Sequence, residues 1–318
     1  MKVWAIIFSC LFLVSLAGLI VSVAITGASV MEAIRSGDFY IGWGNQAWDG
    51  YDISKIFDEA YTNVEIGVLA ARTEIVASPD GVTRVNYSGN NNYRNVEFIA
   101  EISGNTLVVR EKGSFLSGGW NWNWWNWGVS IGQTTLEIQL PEAVYNKIDI
   151  ELTSGSVKGE LPEVDNLHVN ITSGSVVLDY RHVNTANHLR SHSTSGNITI
   201  NGFSPETYDV YLTSGNQRIS GLSGSGNIRL TSGTANIGFD EWNGELNIKI
   251  TSGSANITVP RGSGVNDMNF SRTSGSFKWS LDNDTGSMSR SASGVSFGGE
   301  NRQRVNVDLT SGSASISN

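Results

Sequence analysis

Through the second half of the chain apolar and polar residues alternate, and the alternation is interrupted each time by the same three residues, Thr-Ser-Gly. The positions one, three and five residues before the threonine hold Leu152, Ile150 and Ile148, then Ile171, Val169 and Leu167. Further on they hold Ile250, Ile248 and Leu246, then Leu309, Val307 and Val305. Between them stand Asp149, Glu151, His168, Asn170, Asn247, Lys249, Asn306 and Asp308. A period of two with one apolar and one polar face predicts strands that bury one side and present the other to water. Six residues past the threonine, Leu178, Ile200, Ile219, Ile237, Ile257, Trp279 and Ile316 resume the apolar set. Each unit therefore reads as two inward-facing strands joined at a tight bend.

The bends start at Thr153, Thr172, Thr194, Thr213, Thr231, Thr251, Thr273 and Thr310, with a degraded copy at Ala292-Ser293-Gly294, in steps of 19, 22, 19, 18, 20, 22, 19 and 18 residues. A loosely held period of this size is the signature of a stacked repeat array. The expected fold is all-β, a parallel β-solenoid (β-helix) of roughly 20-residue coils. Glycine at the third place of the bend can take φ > 0, and Ser or Thr can bond neighbouring backbone groups. Stacked bends should then form ladders. No copy has the Gly-Lys-Ser/Thr ending of a phosphate loop.

The chain before the repeats divides into three parts. Val3 to Ile25 is 23 residues without a charge, long enough to cross a bilayer as a helix, and predicts a transmembrane signal anchor over 1–27. Small residues at Ser22-Val23-Ala24 and Thr26-Gly27-Ala28 leave cleavage open as the alternative. Residues 28–52, rich in glycine and aromatics without a sustained period, read as a stalk. From 53 to 147 short β runs appear, among them Val64 to Val68, Thr73 to Val76, Thr83 to Tyr87, Val96 to Ile99 and Leu107 to Arg110. These are expected to be irregular first coils capping the regular ones of 148–318, since terminal repeats are usually atypical. A separate small β-domain is the alternative.

The irregular region carries a Trp-rich loop, 118–128. Trp120, Trp122, Trp124, Trp125 and Trp127 are five of the chain's ten tryptophans. They are the candidate contacts for a ligand or membrane; the competing reading folds the rings over an open end of the solenoid. The four histidines, His168, His182, His188 and His192, fall close together, with His188 and His192 on one outer face and His168 a coil away near Arg190. No cysteine or fixed carboxylate completes a metal site there, so neither a metal nor another cofactor is expected.

Charge narrows the partners. A net charge of −9 and a pI near 5.0 argue against nucleic acid. Cys10, the one cysteine, falls inside the apolar segment. The chain stops at Ser313 to Asn318, still in a strand pattern, and such an edge can accept another strand. Self-association through this C-terminal edge is expected, or its covering by a hairpin from Asp284 to Glu300.

The succession Val64-Glu65-Ile66, Leu107-Val108-Val109-Arg110, Leu136-Glu137-Ile138-Gln139-Leu140-Pro141 and Lys147-Ile148-Asp149-Ile150, followed by serial Thr-Ser-Gly corners, resembles the bacterial putative-adhesin family, a domain of unknown function that includes LiaG-like proteins of Gram-positive envelopes. The resemblance covers roughly residues 53 to 318; the Trp-Asn loop departs from it in composition. It implies a parallel β-solenoid facing outward from a single membrane anchor, with no enzymatic activity and no catalytic residues to carry over. The functional expectation is a non-catalytic, membrane-anchored, extracytoplasmic adhesin or cell-envelope interaction protein. Its partners would be the lipid bilayer and a cell-surface glycan or envelope protein. A carbohydrate-active β-helix enzyme and a self-assembling solenoid filament are the alternatives.

Overall fold

The computed structural model describes residues 40–41, 50–90, 96–113, 129–130, 134–180, 182, 185–263, 267–281, 284–288, 292–295 and 303–318. The expected membrane helix over 1–27 and the five loop tryptophans lie outside the described residues. All regular structure among the described residues is β. In chain order the strands are β1 (Tyr40–Ile41), β2 (Gly50–Phe57), β3 (Asn63–Val68), β4 (Arg72–Ala77), β5 (Thr83–Asn90), β6 (Val96–Ser103), β7 (Thr106–Gly113), β8 (Val129–Ser130), β9 (Thr135–Leu140), β10 (Tyr145–Leu152) and β11 (Ser156–Leu161). The remainder are β12 (Val164–Tyr180), β13 (Ala186–Asn201), β14 (Pro205–Leu222), β15 (Ser225–Leu230), β16 (Thr234–Phe239), β17 (Glu245–Thr258), β18 (Asp267–Leu281), β19 (Asp284–Met288), β20 (Ala292–Val295) and β21 (Arg304–Ser317).

Two compact units result. One comprises Met1–Tyr51, Gly89–Arg94 and Gly118–Gln133 and contains β1 paired antiparallel with β8. The other comprises Asp52–Ser88, Asn95–Ser117 and Thr134–Asn318, and in it the coils stack in parallel. The pairing of β12 with β13 runs from Asn166↔His188 through the bend at Gly174↔Gly196 to Asp179↔Asn201. Register therefore superimposes like positions. One inward column reads Val68, Leu152, Ile171, Ser193, Leu212, Leu230, Ile250 and Leu309. Its members are buried, and each aliphatic one contributes about 1.5–3 kcal/mol.

The bends stack as tightly as the strands. Ser173 N donates to Thr153 O at 3.0 Å, Ser252 N to Thr231 O at 2.8 Å and Ser254 N to Gly233 O at 2.9 Å, so the ladder continues around the corner. The bend glycine is needed for this approach as well as for its conformation. At Gly253, with φ 139°, a Cβ would lie 2.5 Å from the Gly233 carbonyl oxygen. Gly196 lies outside the left-handed region, yet a Cβ there would still come within 2.7 Å of Gly174 O.

Coil order departs from chain order at both ends. The coil of β3 and β4 lies between the coil of β7 and β9 and that of β10 and β11. At the other end β21 pairs with β17 on one side and β18 on the other, so the last strand of the chain is an internal rung. The edge expected at the C-terminus is thus occupied on both sides, because the Asp284–Val295 excursion lets the chain return past β18. Antiparallel strands close the stack, β5 on β9 and β6 on β7 at one end, β19 and β20 on β18 at the other. The degraded corner at Ala292 belongs to this cover. Ala292 pairs antiparallel with Phe270, and no parallel coil forms there. In β18, the outermost parallel rung, an inward position is taken by Arg272, whose guanidinium donates to Gly275 O at 2.6 Å.

Candidate functional site

The outward positions of β10, β12, β13, β14, β15, β17, β21 and β18 line up into columns across the stack. One runs Asp149, His168, Arg190, Asp209, Asn227, Asn247, Asn306 and Asn269. The next runs Glu151, Asn170, His192, Tyr211, Arg229, Lys249 and Asp308. Amides bridge successive coils. Asn227 Nδ2 donates to Asp209 Oδ1 at 2.8 Å, Asn306 Nδ2 to Asn247 Oδ1 at 2.7 Å, and Asn269 Nδ2 to Asn306 Oδ1 at 2.9 Å.

Three of the four histidines share this face. His168 meets His188 edge-on with ring centroids 6.0 Å apart and pairs in register with Arg190, as its spacing implied. His188 Nδ1 lies 2.9 Å from Thr207 Oγ1, and its Nε2 is 3.9 Å from Asp209. Partial burial, with Lys147 nearby, pushes the His168 pKa down. His182 stands apart, 4.0 Å from Glu142 and beside the Tyr180 ring. Among the described residues no three His, Cys, Asp or Glu side chains gather as a metal would require.

A groove of about 370 Å³ opens between the histidine-bearing coil and the next two, lined by Arg190, His192, Tyr211, Thr213, Arg229 and Thr231. Arg229 Cζ sits 5.5 Å from the Tyr211 ring centroid, within cation–π reach, and the His192 ring meets Tyr211 edge-on at 6.4 Å. Neither Arg190 nor Arg229 forms a salt bridge with a carboxylate among the described residues. A second groove of about 490 Å³ continues from Arg229 along Asn227, Asn247, Lys249, Asn269 and Asn306.

Beneath the first groove the core turns polar. Ser191, Ser193 and Gln217 are fully buried at inward positions, with Ser191 stacked between Val169 and Val210. Buried polar groups of this kind need partners. Ser191 Oγ donates to Gln217 Oε1 at 2.9 Å, and Gln217 Nε2 donates to Tyr211 O at 2.8 Å. Ser193 Oγ accepts from Gly196 N at 3.1 Å. The network grips the backbone of the residue whose ring supports Arg229. The inward serines interrupt the apolar alternation, a signal present in the sequence whose partner, Gln217, is visible only after folding.

Arg110 pairs with Gly67 and Thr135 with Arg72, so residues 111–134 of one coil correspond to residues 68–71 of the next. Glu111 satisfies the amides of the bend Leu69-Ala70-Ala71: Oε2 accepts from Leu69 N at 2.7 Å, Ala70 N at 3.0 Å and Ala71 N at 3.3 Å, and Oε1 accepts from Tyr87 Oη at 2.8 Å. Nothing in the local sequence pattern marks Glu111 for this role. Its carboxylate is a structural anchor for the bend at 69–71. A third groove, about 290 Å³, lies by Tyr61 and Tyr145, where burial raises both phenol pKa values and Tyr61 shares a 2.5 Å hydrogen bond with Thr83.

No curated protein matches the chain. Solved structures similar to it include a putative adhesin from Parabacteroides merdae, at 14% identity and a TM-score of 0.42 over 86% of this chain and 97% of the other. A second putative adhesin, from Parabacteroides distasonis, matches at 14% identity and 0.38 over 84% and 98%. A putative lipid binding protein from the same species matches at 15% identity and 0.33 over 86% and 98%. Residues 61–317 match the Toastrack DUF4097 family, a domain of unknown function. The match spans most of the chain, which belongs to the Toastrack DUF4097 family.

Proposed function

We propose that this chain is a non-catalytic adhesin or envelope-interaction protein, anchored in the cell membrane by Val3 to Ile25 and displaying its β-solenoid outside the cytoplasm. The observation that carries the proposal is the outward face of the coils, where polar side chains are held in register by interstrand amide bonds and flank a groove bearing Arg190 and Arg229. A surface fixed by its own hydrogen bonds loses little side-chain freedom on contact, which favours recognition. Carboxylates of this face are engaged one by one, Asp149 by Lys147 at 2.7 Å and Asp209 by Asn227 at 2.8 Å, an arrangement suited to positioning. Acid–base cleavage of a glycan would instead call for a spaced pair of carboxylates.

Two measurements on cells test the proposal. Protease applied to intact cells or protoplasts should remove the region after Ile53, and deletion of the gene should reduce attachment to surfaces coated with envelope extract. Full protection of the region would refute the location, and unchanged attachment would refute the adhesive role.

A further inference from the structure

We propose that the groove between Arg190 and Arg229, with its continuation along the asparagine column, binds an acidic polysaccharide whose sugars carry carboxylates. The proposal names the ligand class for the adhesive face described above and rests on that reading. Charge complementarity is the first argument. In a chain of net charge −9, two exposed guanidiniums line one groove without a carboxylate partner among the described residues, and Lys249 extends the cationic track, shared only with Asp308 at 3.9 Å. A guanidinium presents a planar fork that matches a carboxylate with two hydrogen bonds.

Pre-organisation is the second argument. The Tyr211 ring supports the Arg229 guanidinium, and the buried Gln217 amide fixes Tyr211 from below. The coil of β13 gives up apolar burial at Ser191 and Ser193 under this site. Departures from a fold's own pattern of this sort concentrate where function is served.

Periodicity is the third. Coils stack about 4.8 Å apart, so Arg190 on β13 and Arg229 on β15, in adjacent outward columns, lie two rungs or roughly 10 Å apart across the strands. An extended chain of pyranoses advances by about one rung spacing per sugar, so sugars two apart can meet Arg190 and Arg229. Thr213 and Thr231 at the groove edge, with the amides of Asn227 and Asn247, offer the donors and acceptors that sugar hydroxyls require.

The test uses the full chain in a neutral detergent and titrates it with polygalacturonate, dextran, polyphosphate and phosphatidylglycerol vesicles. Polygalacturonate should bind, with affinity falling as salt rises, while dextran should not. Arg190→Gln/Arg229→Gln should weaken that binding about tenfold or more. Lys158→Gln/Arg218→Gln, a charge-matched change on the other strand ladder, should leave it intact. Equal urea midpoints for the two double variants establish that both fold. Absence of polygalacturonate binding, or equal loss in both variants, overturns the proposal. Preference for polyphosphate would make the groove a phosphate site, and preference for vesicles a lipid surface; either overturns the glycan assignment. Cells carrying the Arg190→Gln/Arg229→Gln chain separate the two levels. If they attach normally, the adhesive reading stands and this ligand site falls.

Discussion

Glu111→Ala removes four hydrogen-bond acceptances at once and should loosen the first coils without touching the far ones. In the native chain its carboxylate receives the amides of Leu69, Ala70 and Ala71 and the hydroxyl of Tyr87. Of these donors, Ala71 N and Tyr87 Oη are buried, while Leu69 and Ala70 sit where water can replace the carboxylate. Each buried donor left unpaired costs about 1–3 kcal/mol, so the two together cost roughly 2–6 kcal/mol. Hydroxyl rotation and partial hydration favour the lower half, about 3 kcal/mol. Glu111→Gln keeps one acceptor towards the three amides and can donate to Tyr87 Oη; it should cost only about 1 kcal/mol. Hydrogen exchange followed by mass spectrometry reads this locally, which suits a repeat array whose unfolding need not be all-or-none. Peptides covering 63–77 should lose protection in the order Ala then Gln, and peptides covering 245–258 should not change. Native-like exchange at 69–71 in Glu111→Ala would show that the bend does not depend on the carboxylate.

Three further expectations follow from the stack. Ile248→Asp places a carboxylate at a position 2% exposed and should cost more than about 4 kcal/mol, whereas Asn247→Asp keeps the oxygen that accepts from Asn306 and should change stability by less than about 0.5 kcal/mol; limited proteolysis separates them, and equal resistance would invert the assigned faces. Ending the chain at Gln303 removes a rung between β17 and β18, so both 245–258 and 267–281 should lose exchange protection, and intact protection of 245–258 would mean that β21 is terminal after all. The His168 pKa is depressed by burial and by the Lys147 charge, with His188 and Arg190 adding to this and Asp149 opposing it, so its contribution is complete above the ordinary histidine value of 6.5 and declines as pH falls through 6.5 toward the lower folded value. Urea midpoints at successive pH values should show that decline, and His168→Gln should flatten it; an unchanged slope would remove His168 as its source.

What the sequence by itself determined was everything that depends on near neighbours along the chain. Alternation named the inward set, and Ile148, Ile150, Leu167, Val169 and Ile248 are indeed buried. The eight intact Thr-Ser-Gly corners marked eight parallel coils among the described residues, since a bend is a local event fixed by three or four residues. The histidine face could be read in advance because side-chain direction follows strand parity. Tertiary structure alone decided which coil lies on which. Every rung offers the same backbone ladder and a similar apolar column, so pairing is indifferent to chain order, and β21 enters between β17 and β18 as readily as it would follow β18. For the same reason the Ala292 copy of the corner could serve as an antiparallel cover. Long-range polar contacts were equally hidden. Glu111 meets a bend 40 to 42 residues earlier, and Gln217 meets Ser191 across 26 residues, because their partners are chosen by the space that folding leaves, a quantity with no local trace in the chain.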